Sequence, residues 1–289
     1  MNTLEKTRKI INEYNIKANK KFGQNFLIDD SILEKIVEVA DIQENDLILE
    51  IGPGLGNLTE YILEKSNYAI LIEIDPKMEI ILKNRFSNFH NFKLINEDIL
   101  KINIDDFIEK VEKELNKKFQ KVKVVANLPY YITTPILFKL LQESKRINEI
   151  IVMIQKEVAE RMVAKNKSKE YGILTLMVDY LSDANICFLV PNDSFIPKPE
   201  VTSAVIKLVK NKKYDVKEEK LFFEFIHSAF AQRRKKIVNS LESKHFRNMT
   251  KEELNQLLEK LGYSLNTRAE ELTIQDYIKI VNAIGEENE

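Results

Sequence analysis

From Asp46 to about Lys210, short runs rich in β-branched residues alternate with amphipathic stretches that have a helical period. This alternation is typical of βαβ units, in which each helix crosses from one parallel strand to the next. The sequence therefore predicts an α/β fold with a doubly wound, mostly parallel sheet. The seven predicted strands are Leu47–Ile51, Ala69–Ile74, Phe92–Asn96, Val122–Ala126, Glu149–Ile154, Ile186–Val190 and Ala204–Val209.

The alternation stops after Lys210, where the polar segment 210–215 predicts a linker. Every periodic stretch beyond it is helical, which predicts a small all-helical domain over residues 211–289. The predicted helices are Glu218–Gln232, Lys236–Leu241, Lys251–Leu261 and Ile274–Ile284. With 289 residues, 44% of them hydrophobic, the chain is long enough for this domain and a larger one over residues 1–210.

Cysteine content, apolar runs and the N-terminus exclude several classes of protein. The single cysteine, Cys187, cannot form an internal disulfide, and one thiol is too few for a cysteine-rich zinc site. The three histidines, His90, His227 and His245, are too scattered to predict a metal site. The longest apolar runs are strand-sized, so no membrane span is predicted. Since Met1–Ile16 has no apolar core of signal-peptide type, we expect a cytoplasmic protein.

The net charge is only −1, but the charges are unevenly distributed along the chain. Residues 205–250 carry twelve Lys or Arg against five Asp or Glu, and residues 1–23 carry six against two. Residues 251–289 are acidic, with four against nine. Such segregation can present a cationic face to a phosphate backbone, although solvated helix faces would give the same pattern.

A glycine-rich turn follows the first predicted strand, with the sequence Gly-Pro-Gly-Leu-Gly-Asn from Gly52 to Asn57. Ligands of doubly wound sheets bind at this carboxyl edge. The third glycine of a dinucleotide-binding turn is replaced by Asn57, which disfavours a nicotinamide dehydrogenase, and no Gly-Lys-Ser/Thr follows for a triphosphate. The spacing of Gly52, Gly54 and Gly56 is the one expected for a nucleoside without phosphates.

Two carboxylates occupy the next strand ends. Glu73 ends the second strand, 21 residues after Gly52, where a carboxylate can accept both ribose hydroxyls. Asp98 follows the third strand, where an acceptor can take the exocyclic amine of adenine. Because parallel strands end at the same edge of a sheet, the three strand ends together predict a nucleoside site.

The fourth strand ends in Asn127-Leu128-Pro129-Tyr130, which predicts the chemistry. An adenine amine is a poor nucleophile because its lone pair is delocalised into the ring, so a transferase must orient it with acceptors. The Asn127 side chain and the backbone carbonyl of Leu128 or Pro129 could each accept one amine hydrogen, while Tyr130 stacks on a base that has left its own stack. A proline turn with a buried tyrosine is the structural alternative.

A second aromatic candidate, Phe195, lies in a loop stiffened by Pro197 and Pro199. It could press on the other face of a flipped base, or it could fill the core as loop phenylalanines often do. The residues alone leave both possibilities open.

These motifs together resemble the ribosomal RNA adenine dimethyltransferases, in particular the small-subunit type, which use S-adenosylmethionine. The match runs along nearly the whole chain, from Lys21-Phe22-Gly23-Gln24-Asn25-Phe26-Leu27 through the glycine turn and the 195–203 loop to 232–236. It implies a Rossmann-like methyltransferase domain over residues 1–210, in which residues 1–45 gate the cofactor site. It also implies an RNA-binding role for residues 211–289.

The resemblance implies a set of functional positions. The cofactor contacts fall on Asn25, Leu27, Gly52, Glu73, Asp98 and Asn127, with Gly54, Gly56 and Ile99 beside them. The target base falls on Asn127, Leu128, Pro129, Tyr130 and Phe195. Contacts to RNA phosphates are expected from Lys20, Lys21, Arg233, Arg234, Lys235 and Lys236.

The implied reaction adds two methyl groups to the exocyclic amine of each of two adjacent adenosines, in a hairpin loop near the 3′ end of small-subunit RNA. We expect a monomer that acts on a small ribosomal subunit without a metal. The related large-subunit family that confers antibiotic resistance is the main alternative, and Leu128 with the long basic C-terminal domain favours the small-subunit type. A DNA adenine methyltransferase would more often carry an acid in place of Asn127. A non-catalytic assembly factor is a further possibility.

Overall fold

The computed structural model describes residues 1–16 and 24–286. They form two compact units, one from residues 1–16, 24–159 and 184–210 and the other from residues 160–183 and 211–286. The strands are β1 (Phe26–Leu27), β2 (Asp46–Ile51), β3 (Ala69–Glu73), β4 (Phe92–Asn96), β5 (Lys121–Asn127), β6 (Ile147–Gln155), β7 (Ser182–Val190), β8 (Phe195–Ile196) and β9 (Ser203–Lys210).

Seven of these strands form one sheet in the order β4-β3-β2-β5-β6-β9-β7. The pairs β2/β3, β3/β4, β2/β5 and β5/β6 are parallel, and β6/β9 is antiparallel. The predicted α/β fold with a mostly parallel seven-stranded sheet is therefore confirmed. From β2 the sheet grows through β3 and β4 on one side, and the chain then returns to add β5 and β6 on the other side. The carboxyl ends of β2, β3 and β5 therefore border a crevice of the kind that binds ligands in open α/β sheets.

The helices are α1 (Thr3–Glu13), α2 (Asp30–Ala40), α3 (Asn57–Lys65), α4 (Pro76–Arg85), α5 (Ile104–Leu115), α6 (Thr133–Phe138), continued by a π-helical turn (Lys139–Glu143), α7 (Lys156–Met162), α8 (Ile173–Leu181), α9 (Glu219–Phe230), α10 (Ile237–Ser243), α11 (Lys251–Lys260) and α12 (Ile274–Glu286). In the first unit, α2, α3 and α4 cover the sheet with Ile36, Ile62 and Leu82, which share one apolar cluster with Leu71 and Val125 of the strands. Burial of each such side chain stabilises the fold by about 1.5–3 kcal/mol.

A second, two-stranded sheet joins the N-terminal segment to the proline loop. Antiparallel β1 and β8 pair Phe26 with Ile196 and Leu27 with Phe195. The amide of Ile28 extends the ladder by donating to the carbonyl of Ser194, 2.8 Å away. This pairing places β1 beside the glycine turn, and it was not among the predicted strands.

The second unit is built from helices around an aromatic core. Tyr180, Phe222, Phe225 and Tyr277 are all fully buried there. The predicted boundary at residue 210 misses residues 160–183, which contain α8. Because α8 buries Tyr180 among the aromatic side chains of α9, this segment packs with the helical unit although it precedes β7 in the chain.

Candidate active site

A cleft opens at the carboxyl edge of β2, β3 and β5, with about 790 Å³ of empty space when its open mouth is included. It brings together many of the residues singled out in the sequence. Its walls include Asn25, Leu27, Gly52, Gly54, Glu73, Asn127, Leu128, Pro129 and Tyr130.

The glycine turn closes the floor of the cleft by using backbone conformations that favour glycine. Gly54 has φ +57° and donates its amide hydrogen to Glu73 Oε2, 3.0 Å away. Gly56 has φ +83°, and a Cβ there would lie only 2.5 Å from the Phe86 ring. Gly56 therefore allows α3 to pack against Phe86, and it is Gly52 and Gly54 that border the cleft.

Glu73 is fixed at the end of β3 by backbone donors. Its Oε1 accepts from the amide of Asp75 at 2.9 Å, and its Oε2 accepts from Gly54. Burial raises the pKa of Glu73, and these hydrogen bonds oppose the shift. The side chain is 5% exposed and lines the cleft, so a rigid acceptor stands where the sequence predicts the ribose contact.

Asp98 and Ile99 follow β4, outside the residues that line the cleft. Asp98 Oδ1 accepts from the amide of Leu100 at 3.0 Å, and Ile99 is buried. Tyr131, on the cleft wall, has a raised pKa; burial is the largest cause, and the negative charges of Asp98 and Glu73 add to it. Asp98 therefore acts electrostatically on the cleft although it does not line it.

The amine segment, Asn127–Tyr130, begins at the last residue of β5 and is held by several hydrogen bonds. Asn127 Nδ2 donates to the carbonyl of Asn25 at 3.2 Å, which leaves Oδ1 to accept. The carbonyl of Pro129 already accepts from Thr133 Oγ1 at 3.0 Å and from the amide of Ile132 at 3.3 Å. Of the two backbone acceptors left open by the sequence, the Leu128 carbonyl is therefore the better placed for a substrate amine.

Phe195 lies in the core. It is 3% exposed and belongs to the same apolar cluster as Leu27 and Val205, because β8 turns its side chain inward when it pairs with β1. The cleft walls do not include it. Of the two roles considered for Phe195, the structure therefore shows the core-filling one. The expectation that its ring faces a target base is corrected.

The predicted RNA-binding residues divide into three groups. Arg233 is engaged within the second unit: its Nε lies 2.7 Å from Glu270 Oε2, and its Nη2 donates to the carbonyl of Ser168 at 2.8 Å. Its remaining Nη1 donates to the carbonyl of Lys169. The neighbouring residues 234–236 are exposed. Lys20 and Lys21 lie outside the described residues.

Two residues of the cleft wall were missed by the sequence analysis. Glu50 is buried in β2 two residues before Gly52, and burial raises its pKa to about 8, with the charge of Glu73 acting in the same direction. Tyr131 is 56% exposed beside Tyr130. Two features of the sequence could have pointed to them: Glu50 is an acid within an otherwise apolar strand, and Tyr131 is a second aromatic residue after Pro129.

Within residues 1–16 and 24–286, no helix is long and apolar enough to cross a membrane. In the same part of the chain, no three His, Cys, Asp or Glu side chains are grouped as metal ligands.

The sheet order, the glycine turn and the amine segment together define a Rossmann-like methyltransferase. The family model described as ribosomal RNA adenine dimethylase matches residues 15–286. Among curated relatives, the ribosomal RNA small subunit methyltransferase A of Clostridium botulinum (strain Okra / Type B1) is 44% identical over 96% of this chain and 98% of that protein. The protein of the same name from Lachnoclostridium phytofermentans is 42% identical over 98% and 97%. The chain belongs to the ribosomal RNA adenine dimethylase family.

Solved structures agree with this assignment. A dimethyladenosine transferase from Plasmodium falciparum superposes with a TM-score of 0.73 and 26% identity, over 90% of this chain and 97% of that one. The 23S rRNA methyltransferase ErmE superposes with a TM-score of 0.63 over 90% and 100%, and at 22% identity this likeness shows the fold alone. The predicted family, fold class and enzyme class are thereby confirmed.

Proposed function

We propose that the chain transfers methyl groups from S-adenosylmethionine to the exocyclic amines of two adjacent adenosines, two on each, in a hairpin loop near the 3′ end of small-subunit ribosomal RNA. The observation that carries this proposal is the Asn127–Tyr130 segment, which presents amine acceptors and an aromatic ring in the cleft that Glu73 and the glycine turn also line. The names of relatives at 42–44% identity support the small subunit as substrate. A cytoplasmic role in subunit maturation follows from that substrate.

The cleft fits the nucleoside part of the cofactor. Glu73 is a buried carboxylate held by two backbone amides, an arrangement suited to accepting ribose hydroxyls. Asp98 would accept from the adenine amine at the side where its charge already acts on Tyr131. Asn25 and Leu27 of the N-terminal segment would close the opposite side. When bound, S-adenosylmethionine supplies an activated, electrophilic methyl carbon.

The chain then has to orient the amine and exclude water. The Asn127 Oδ1 and the Leu128 carbonyl each accept one amine hydrogen, which favours a localised lone pair. Tyr130 holds the base by stacking, a contact worth about 1–3 kcal/mol per base. Holding two reactants in line in this way can lower a barrier by about 7–11 kcal/mol at best. The amine nitrogen becomes positively charged when it gains the methyl group, so it passes one of its hydrogens to water as a proton without help from a strong base.

Phosphate contacts are proposed for the exposed residues Arg234, Lys235 and Lys236, and for Lys20 and Lys21 of the N-terminal segment. Arg233 has a different role, because its guanidinium is held by Glu270 and two carbonyls. A hairpin loop is recognised mostly by shape and unstacked bases, so the subunit surface supplies much of the specificity.

The test separates catalysis from binding. Asn127→Ala should reduce methyl transfer to unmodified small subunits by about 100-fold, the scale of effect seen when a reactant is mispositioned, while subunit binding stays within about twofold. Asn185→Ala, an exposed asparagine on β7, is the matched control and should behave as wild type. Wild-type methylation by Asn127→Ala would refute the proposed role of this segment. Binding without methylation by the wild-type chain would indicate an assembly factor instead.

A further inference from the structure

Asn57, which stands where a dinucleotide-binding turn has its third glycine, is a buried wall residue of the cleft. It is the first residue of α3 and is 5% exposed. A buried amide is costly to leave unpaired, so its partners indicate what the position is used for. Those partners connect the cleft to the N-terminal helix α1.

All three polar positions of the Asn57 amide are engaged. Nδ2 donates to the carbonyl of Leu27 and to Thr7 Oγ1, each at 2.8 Å, and Oδ1 accepts from Arg85 Nη1 at 2.9 Å. Arg85 Nη1 also donates to the carbonyl of Leu55 at 2.7 Å. Leu27 and Leu55 both line the cleft, so Asn57 ties the N-terminal wall to the glycine turn.

The wall formed by β1 needs such a tie. β1 has only two residues, paired with the equally short β8, and so short a ladder is marginal without further support. The bond from Asn57 holds the Leu27 carbonyl from the side of the glycine turn. Together with the bond from Asn127 to the Asn25 carbonyl, it holds the two ends of this short segment from the cleft side.

The same network seats α1. Thr7 is fully buried against Asn57. The preceding residue of α1, Lys6, has its Nζ 2.7 Å from Glu60 Oε1, and the other oxygen of Glu60 accepts from Arg85 Nη2 at 2.7 Å. At the helix start, the amide of Thr3 donates to the Asp30 carboxylate at 3.2 Å. Hydrogen bonds and ion pairs depend on direction, so these contacts fix the position of α1 against α2 and α3 more strictly than apolar packing would.

We propose that Asn57 is a positioning residue for the methyl donor, and that α1 sets the affinity for that donor through the Thr7–Asn57–Leu27 hydrogen bonds. The inference rests on the proposed function, since it takes S-adenosylmethionine as the ligand of the cleft. It predicts that Asn57, in addition to the glycine turn, determines how firmly the Leu27 side of the cleft is held against the bound methyl donor.

The test uses Asn57→Asp in the full chain. This change keeps the side-chain size and the acceptor for Arg85, and it replaces the donor to Leu27 and Thr7 by an oxygen. By calorimetry, the Kd for S-adenosylmethionine should rise about tenfold, equivalent to about 1.4 kcal/mol. In steady-state assays the KM for S-adenosylmethionine should rise by a similar factor, with kcat within about twofold of wild type, because the residue touches the wall and no reacting atom.

Thr7 variants test the remote end of the same network. Thr7→Val removes the acceptor while keeping the shape and should raise the Kd about threefold, whereas Thr7→Ser keeps the hydroxyl and should restore the wild-type value. Asn67→Asp is the matched control: Asn67 is exposed, donates from its side chain to the Glu44 carbonyl and is not among the residues that line the cleft. It should bind as wild type.

Outcomes are separable from those of the proposed function. If the wild-type chain binds S-adenosylmethionine and Asn57→Asp binds it equally well, the inference is overturned and the proposed function stands. A loss confined to kcat, with Kd unchanged, also overturns it. If the wild-type chain does not bind S-adenosylmethionine, it is the proposed function that fails. If Asn57→Asp does not fold, the comparison of Thr7→Val with Thr7→Ser decides the question, and equal Kd values for those two contradict the inference.

Discussion

The hydroxyl of Tyr130 lies 2.5 Å from the hydroxyl of Ser203, the first residue of the antiparallel strand β9. Ser203 is fully buried, so it gives the tyrosine a fixed partner in the sheet. Burial raises the pKa of Tyr130, which keeps the phenol neutral near neutral pH. The Tyr130 ring, which we assign to base stacking, is therefore held by its hydroxyl group. The flat face of the ring is left to stack on a base.

Removing only the hydroxyl should have a small effect and removing the ring a large one. Tyr130→Phe loses one hydrogen bond of about 1 kcal/mol and should lower the single-turnover rate about fivefold. Tyr130→Ala also loses the stacking face, worth about 1–3 kcal/mol, and should lower the rate by about 100-fold in total. Tyr68→Phe, outside the cleft walls, is the control. A rate for Tyr130→Ala within twofold of wild type would argue against stacking.

Glu73 should determine cofactor affinity. Glu73→Gln replaces one carboxylate oxygen by an NH₂ group and places it against a backbone donor. Since hydrogen bonds to charged groups contribute about 1.5–3 kcal/mol, the Kd for S-adenosylmethionine should rise at least about tenfold by calorimetry. The control is Glu97→Gln, an exposed glutamate after the neighbouring strand. Unchanged affinity of Glu73→Gln would remove Glu73 from the ribose contact.

Glu50 should make stability depend on pH. Burial raises its pKa from 4.5 to about 8, so the folded chain binds this proton more tightly than the unfolded chain does. Through this group the free energy of unfolding is therefore highest below about pH 4.5, falls as pH rises, and levels off above about pH 8. Glu50→Gln removes that decline.

Urea unfolding between pH 5 and 8.5 tests this expectation, with the exposed Glu64→Gln as the control for loss of one charge. The difference between Glu50→Gln and wild type should grow in favour of the variant as the pH rises. Parallel curves at all pH values would contradict it.

Arg233 and Lys235 should separate stability from RNA binding. Arg233→Ala removes the contacts to Glu270 and to two carbonyls, and should lower the free energy of unfolding by about 2 kcal/mol. Lys235→Ala should leave stability unchanged and weaken subunit binding, with the slope of log affinity against log salt reduced by about one unit. The two variants are compared by thermal unfolding and by filter binding across a salt series. An unchanged salt slope for Lys235→Ala would place phosphate contacts elsewhere.

The main sheet was predictable because its strands are short, apolar and separated by helical stretches. Thus Leu47–Ile51 was predicted and Asp46–Ile51 observed. The β1/β8 sheet was not predictable in the same way, since two residues carry no period and Leu27 pairs with a residue 168 positions away. The position of α8 was also hidden: its apolar sequence shows that it is buried, but not in which unit.

The place of a site residue was predictable where the residue stands at a strand end. Glu73 and Asn127 are such residues, and the structure places both in the cleft. The roles of Arg233 and Phe195 could not be read in this way. A basic run does not tell which member pairs within the protein, and a loop phenylalanine does not show its direction until its backbone partner is known.

The most direct test of the account is tritiated methyl transfer from S-adenosylmethionine to small ribosomal subunits that lack the modification. Large subunits and duplex DNA are assayed in parallel, and the product nucleosides are resolved. The account predicts dimethyladenosine on small subunits only, at two adjacent positions. Incorporation into large-subunit RNA alone, or into no substrate at all, would contradict it.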